Sequence, residues 1–175
     1  MQIGRQKLLV GLSIWLYWFS LSTYIPILPT YAKDLGASYQ MIGVITGSFG
    51  LTQVLLRLPL GILSDRLDRR KIFLVTGAIL GLASSLGMWL CREIYSLLFF
   101  RLLSGIAGTA WVLQTVLFAR CFPPAEGSKA MGLVTAVVNF GEMLAMFAGG
   151  LVAQYYGQEQ AFLLAALIAA PALAC

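Results

Sequence analysis

The 175 residues are 59% hydrophobic and only 11% charged, with a mean hydropathy of +0.85, a composition outside the soluble globular range. A net charge of +5 could suggest nucleic acid, but the cations other than Arg57 and Arg101 fall in the short polar segments that flank apolar runs, where membrane topology accounts for them. With no histidine, scattered cysteines and no G-x-x-x-x-G-K-[ST] loop, the sequence offers no metal centre, no catalytic constellation and no ATP motor, so neither an enzyme nor a cofactor is expected.

Arg5 and Lys7 open the chain, and an apolar run follows over about 8–29. That length crosses a ~30 Å hydrocarbon core, whereas a signal peptide has an apolar core of only about 7–15 residues, so a retained first span is predicted. Trp15, Tyr17, Trp18 and Tyr24 are its amphipathic rings, expected as interface anchors or core packing, with Tyr24 also a candidate to line a cavity. Pro26 and Pro29 stand where they can close the helix or kink it.

The second span is predicted over about 41–63, with Gly43, Gly47 and Gly50 spaced for close helix contact. Gln53 and Arg57 are its polar residues. Arg57 lies two turns before a charged turn and is expected to snorkel toward that interface. The turn itself, Gly61 to Lys71, holds Asp65 and Asp68 among the cations Arg66, Arg69, Arg70 and Lys71. A third span is predicted over about 72–90, where Gly77, Gly81 and Ser85 form a small-residue packing stripe.

The fourth span, about 95–122, places Arg101 inside the hydrocarbon region, where an arginine costs at least ~2.5–3.5 kcal/mol and normally faces a cavity or a partner. Gly105 and Gly108 follow on one face and permit close approach. Trp111 and Gln114, further along, are cavity-lining candidates. After the turn-rich Pro123-to-Lys129 connector comes a fifth span over about 130–152, with Asn139 and Glu142 one helical turn apart near mid-membrane. A carboxylate there should be neutral or paired, and Arg101 is the expected partner: at ~1.5 Å per residue the two lie about 10 and 15 Å from the same face. Gly141, Ala145 and Gly149 make a smooth packing strip, continued by Gly150. A last apolar run, about 161–175, is short for a complete span.

Positive charge sets the orientation. Turns on the side of the N-terminus hold Arg5, Lys7, Arg66, Arg69, Arg70, Lys71, Arg120 and Lys129, and opposite turns hold only Lys33 and Arg92. The N-terminus and the charged turn are therefore expected in the cytoplasm, in a multi-pass protein of the cell membrane. Cys91 and Cys121 then fall at opposite faces and cannot pair.

Gly61, Asp65, Arg66, Arg69 and Arg70 fall in register on G-x-x-x-D-[RK]-x-G-[RK]-[RK], the loop between the second and third spans of the major facilitator superfamily (MFS), with Asp68 where that family usually has Gly. Arg101, Gly105 and Gly108 resemble its fourth-span motif R-x-x-x-G-x-x-G, with Ser104 where Gln is frequent. Gly141, Gly149 and Gly150 resemble its fifth-span antiporter motif, with Ala145 and Met146 in place of the central Gly-Pro pair. Ile27 to Ala32, with Leu35 to Ser38, is similar to the first-span exit of many of its exporters.

The resemblance implies an all-α, polytopic membrane protein: six transmembrane helices over residues 1–175, the N-terminal half of a twelve-helix transporter whose C-terminal six-helix half is missing. It further implies a secondary transporter exporting a small molecule by alternating access, with protons as the coupling ion. The charged turn (Gly61, Asp65, Arg66, Arg69, Arg70) would be a conformational latch, and Arg101 with Glu142 the proton or charge site. A facilitative uniporter, a dimerising half-size carrier and a non-transporting membrane scaffold are the alternatives.

Overall fold

The computed structural model describes the backbone of residues 2–67 and 70–174 and the side chains of residues 7–63 and 72–171. Among the described residues every regular element is a helix: α1 (Gln2–Ser22), α2 (Leu28–Asp34), α3 (Tyr39–Leu67), α4 (Arg70–Leu90), α5 (Ile94–Gly108), α6 (Trp111–Ala119), α7 (Gly127–Tyr156) and α8 (Gln158–Ala174), with a 3-10 turn at Pro124–Glu126. Among the described residues, four stretches are long and apolar enough to cross a membrane: Tyr39–Leu63, Ile72–Leu90, Ile94–Ala119 and Pro124–Tyr156; Lys7–Ser22 is a shorter apolar helix.

Two predicted spans are interrupted, each for a local reason. The run expected over 8–29 stops as α1 at Ser22, because Pro26 has no N–H to offer the Ser22 carbonyl; the Ile25 N–H takes it instead at 3.2 Å, and α2 resumes at Leu28. The fourth span breaks between α5 and α6 at Thr109 and Ala110. There the Thr109 hydroxyl donates to the Ile106 carbonyl at 2.6 Å, the Tyr17 hydroxyl donates to the Ala107 carbonyl at 2.6 Å, and the backbone tightens to i→i+3 bonds. In the other direction, the gap between the runs expected over 130–152 and 161–175 shrinks to one residue, since Gly157 at φ +99° reverses the chain directly into α8.

The helices run up and down, and the core divides accordingly. At one end, Ile14, Tyr17, Trp18 and Leu21 pack with Ala78, Ala107, Ala110, Phe118, Ala130, Val134 and Val138. At the other, Tyr24, Leu28 and Tyr31 pack with Ile45, Met88, Leu97, Ala161, Phe162 and Ala165. Lys7 lies over the Phe122 ring at 3.9 Å, so the N-terminal region and the turn after α6 share the first end. At the second end Arg92 pairs with Glu159 at 2.7 Å and Gln158 donates to Asp34 at 2.7 Å. Helix α1 is central, packing on α7 and α8; α4 packs on α5 and α8, and α3 on α5.

Candidate functional site

Arg101, on α5, is 3% exposed, a cation buried inside an apolar span. Its guanidinium stacks over the Phe49 ring at 4.5 Å, and the Tyr24 ring lies 5.6 Å away. Cation–π contacts contribute from about 0.5 to 2 kcal/mol each when desolvated, enough to offset much of the ~2.5–3.5 kcal/mol insertion cost without a counter-charge. Hydrogen bonding is the part left over: among the described residues no partner lies within hydrogen-bond distance of the buried Arg101 Nε and Nη1 or of the Tyr24 hydroxyl. The site is therefore a fixed cation with spare donors, capped by an aromatic wall.

Glu142, on α7, is half-buried and accepts a hydrogen bond from Ser22 Oγ at 3.4 Å. The sequence pointed to Arg101 as its partner, but the two do not form an ion pair. That expectation needed α5 and α7 side by side; α1 is the helix that packs on α7, with Ser22 turned to Glu142 and Tyr24 to Arg101. The end of α1 stands between the two charges.

Of the expected cavity lining, Tyr24 is fully buried, its ring 5.5 Å from Phe162. Gln114 is buried and accepts from Trp18 Nε1 at 2.8 Å, while Trp111 is half-buried, edge-on to Trp18 at 5.6 Å. These three are built into helix contacts. Asn139, by contrast, is exposed on α7.

The packing glycines divide by what faces them. A Cβ at Gly105 would sit 2.7 Å from Thr52 Cβ and 3.0 Å from the Phe49 carbonyl; at Gly108 it would meet Gln53 Nε2 at 2.5 Å. On α7, Gly141 lies against the Trp15 ring and Gly149 against the Thr23 carbonyl. Gly150 faces open space, and so do Gly43, Gly47 and Gly50, which were expected in a contact and instead lie on the outward face of α3. The stripe on α4 does pack: Gly77 faces Ala110 and the Tyr17 hydroxyl, and Gly81 faces Leu21 and Ala107.

Of the expected latch, Gly61 is half-buried on α3. Asp65 and Arg66 continue α3 and Arg70 begins α4 as backbone only, and Arg69 lies outside the described residues, as does Asp68. Two residues the sequence reading passed over belong to the site: Phe49, the platform under Arg101, and Ser22, the donor to Glu142. For Phe49 a signal existed, since Phe49, Gln53 and Arg57 recur every four residues on one face of α3.

A family model described as Major Facilitator Superfamily matches residues 10–175. The chain is 28% identical over 153 residues to the Quinolone resistance protein NorA of Staphylococcus aureus, an alignment covering 87% of this chain and 39% of NorA. It is 31% identical over 139 residues to the uncharacterized MFS-type transporter MJ1560 of Methanocaldococcus jannaschii, covering 78% of this chain and 36% of that protein. The chain spans somewhat under two fifths of the length of these curated relatives in those alignments.

Proposed function

The chain belongs to the Major Facilitator Superfamily, and from that premise we propose that it is the N-terminal six-helix half of a twelve-helix secondary transporter that exports a small molecule in exchange for protons. The observation that carries the reading is Arg101: a cation held in a spanning helix by two rings, with two donor nitrogens unspent. An intramembrane charge this costly is expected to serve transport rather than folding. That a relative is named for quinolone resistance supports efflux of a lipophilic compound.

In this proposal the bundle rocks against the other half, opening a midplane cavity to each side in turn. Arg101 cannot give up its proton and acts as the fixed charge. Glu142, exposed enough to reach the cavity, takes up and releases the proton while the Ser22 hydroxyl holds it in place. Gly61, Asp65, Arg66, Arg69 and Arg70 latch the cytoplasmic side, in the cell membrane with the N-terminus inside.

The test is export of a fluorescent quinolone from vesicles containing the full-length gene product under an imposed proton gradient. Export should stop when the gradient is collapsed, and Glu142→Gln should slow gradient-driven export on the order of tenfold, equivalent to ~1.4 kcal/mol. Equal flux with and without the gradient would identify a uniporter, and no flux a scaffold.

A further inference from the structure

Arg57 and the groove beside it remain once Arg101 and Glu142 have been assigned. Eight residues, about 12 Å of helix, separate Arg57 from Asp65 in the charged turn. Snorkelling would carry its side chain toward that turn. Instead Arg57 Nη2 donates to Gln53 Oε1 at 2.9 Å, one turn back toward the opposite end of α3. Helical side chains lean toward the helix N-terminus, so the backbone itself sets this direction. The guanidinium is thereby kept within the apolar span, where a charge without a counter-charge is costly.

No carboxylate pairs with it among the described residues, and its Nε is buried with no partner. Arg57 lines a groove of about 690 Å³ between α3 and Val112 of α6. Along the groove Val54, Leu58 and Ile62 repeat every four residues as an apolar strip about 12 Å long, and all three are exposed. At Gly50, at one end of the groove, a Cβ would meet nothing within 4 Å, so no side chain obstructs it there.

A guanidinium with no carboxylate partner among the described residues, at the head of an apolar trough, matches one ligand chemistry. We propose that the α3 groove binds an amphipathic organic anion, its carboxylate or phosphate paired with Arg57 and its apolar part laid along Val54, Leu58 and Ile62. The planar guanidinium can meet such a head group with two parallel hydrogen bonds, which a neutral or cationic amphiphile cannot accept in the same way. The groove is separate from Arg101, and anion binding there requires no proton coupling.

Equilibrium binding of labelled dodecanoate, with dodecanol as the uncharged comparator, tests the site on the purified protein in phosphatidylcholine nanodiscs at pH 8. The wild type should prefer the acid by about tenfold or more, as expected for hydrogen bonds to a charged group. Arg57→Gln should abolish the preference and Arg57→Lys should keep part of it. Val54→Glu, which places a carboxylate one turn before Arg57 while leaving the arginine intact, should abolish it as well. Equal binding of acid and alcohol by the wild type, as when an acidic side chain elsewhere in the protein already occupies Arg57, would overturn the proposal. So would an undiminished preference in either Arg57→Gln or Val54→Glu. Adding phosphatidylglycerol to the nanodiscs separates the sources of the anion: weaker apparent dodecanoate binding identifies a membrane lipid as occupant, and unchanged binding a soluble amphiphile, and both support the site.

Discussion

Arg101 shows how a buried charge is tolerated with no carboxylate paired to it among the described residues. Its guanidinium rests on Phe49 and beside Tyr24, and the Phe49 contact comes from a helix that glycines at 105 and 108 allow to approach. Removing the nearer ring leaves the cation and takes away part of what offsets it. Phe49→Leu should therefore lower thermal stability in detergent by about 1 kcal/mol, or about 2–4 °C, and Phe49→Trp should retain it. A thermal shift unchanged by Phe49→Leu would mean that the ring is a bystander. The arginine itself was legible in the sequence because a cation so far inside an apolar run is costly and normally faces a cavity or a partner. Its neighbour was not: a phenylalanine in a spanning helix is unremarkable until a second helix brings a charge to it.

At the level of the helix, spacing reports smoothness but not what covers it. Gly141 and Gly149 on α7, and Gly43, Gly47 and Gly50 on α3, read alike in sequence. The first pair is pressed against α1 and the turn that follows it, at Trp15 and Thr23, and the second set looks outward. Two adjacent residues turn this difference into an experiment. Gly149→Ala would drive a methyl group into the Thr23 carbonyl, a backbone atom that cannot swing aside, whereas Gly150→Ala enters open space. The first should cost about 1–3 kcal/mol of stability and the second close to nothing, read as thermal midpoints of the purified protein. Similar losses at both positions would contradict the α1–α7 contact. The broken helices were likewise half legible: Pro26 announced its break, but the α5–α6 break depends on the Tyr17 hydroxyl reaching across from α1, which no local pattern encodes. The Arg101–Glu142 pair failed as an expectation for the same reason, since depth along a helix is readable from sequence and helix adjacency is not.

For the molecule as a whole, the outward faces explain the composition. Leu51 and Leu55 on α3 and Phe140, Met143 and Phe147 on α7 are exposed apolar surface of a kind that a water-soluble protein does not sustain and lipid tails cover. Up-and-down helices with two core clusters agree with the alternation read from the apolar runs, and Lys7, Arg120 and Lys129 stand at the end opposite Lys33 and Arg92. The whole account depends on those two ends facing opposite sides of a bilayer. The direct measurement uses a cysteine-free background carrying either Glu93→Cys, at the exposed turn before α5, or Lys129→Cys, exposed at the start of α7. Intact cells are treated with a membrane-impermeant maleimide before and after permeabilisation. The account predicts that position 93 labels in intact cells and position 129 labels only after permeabilisation; labelling of both positions from the same side would contradict it.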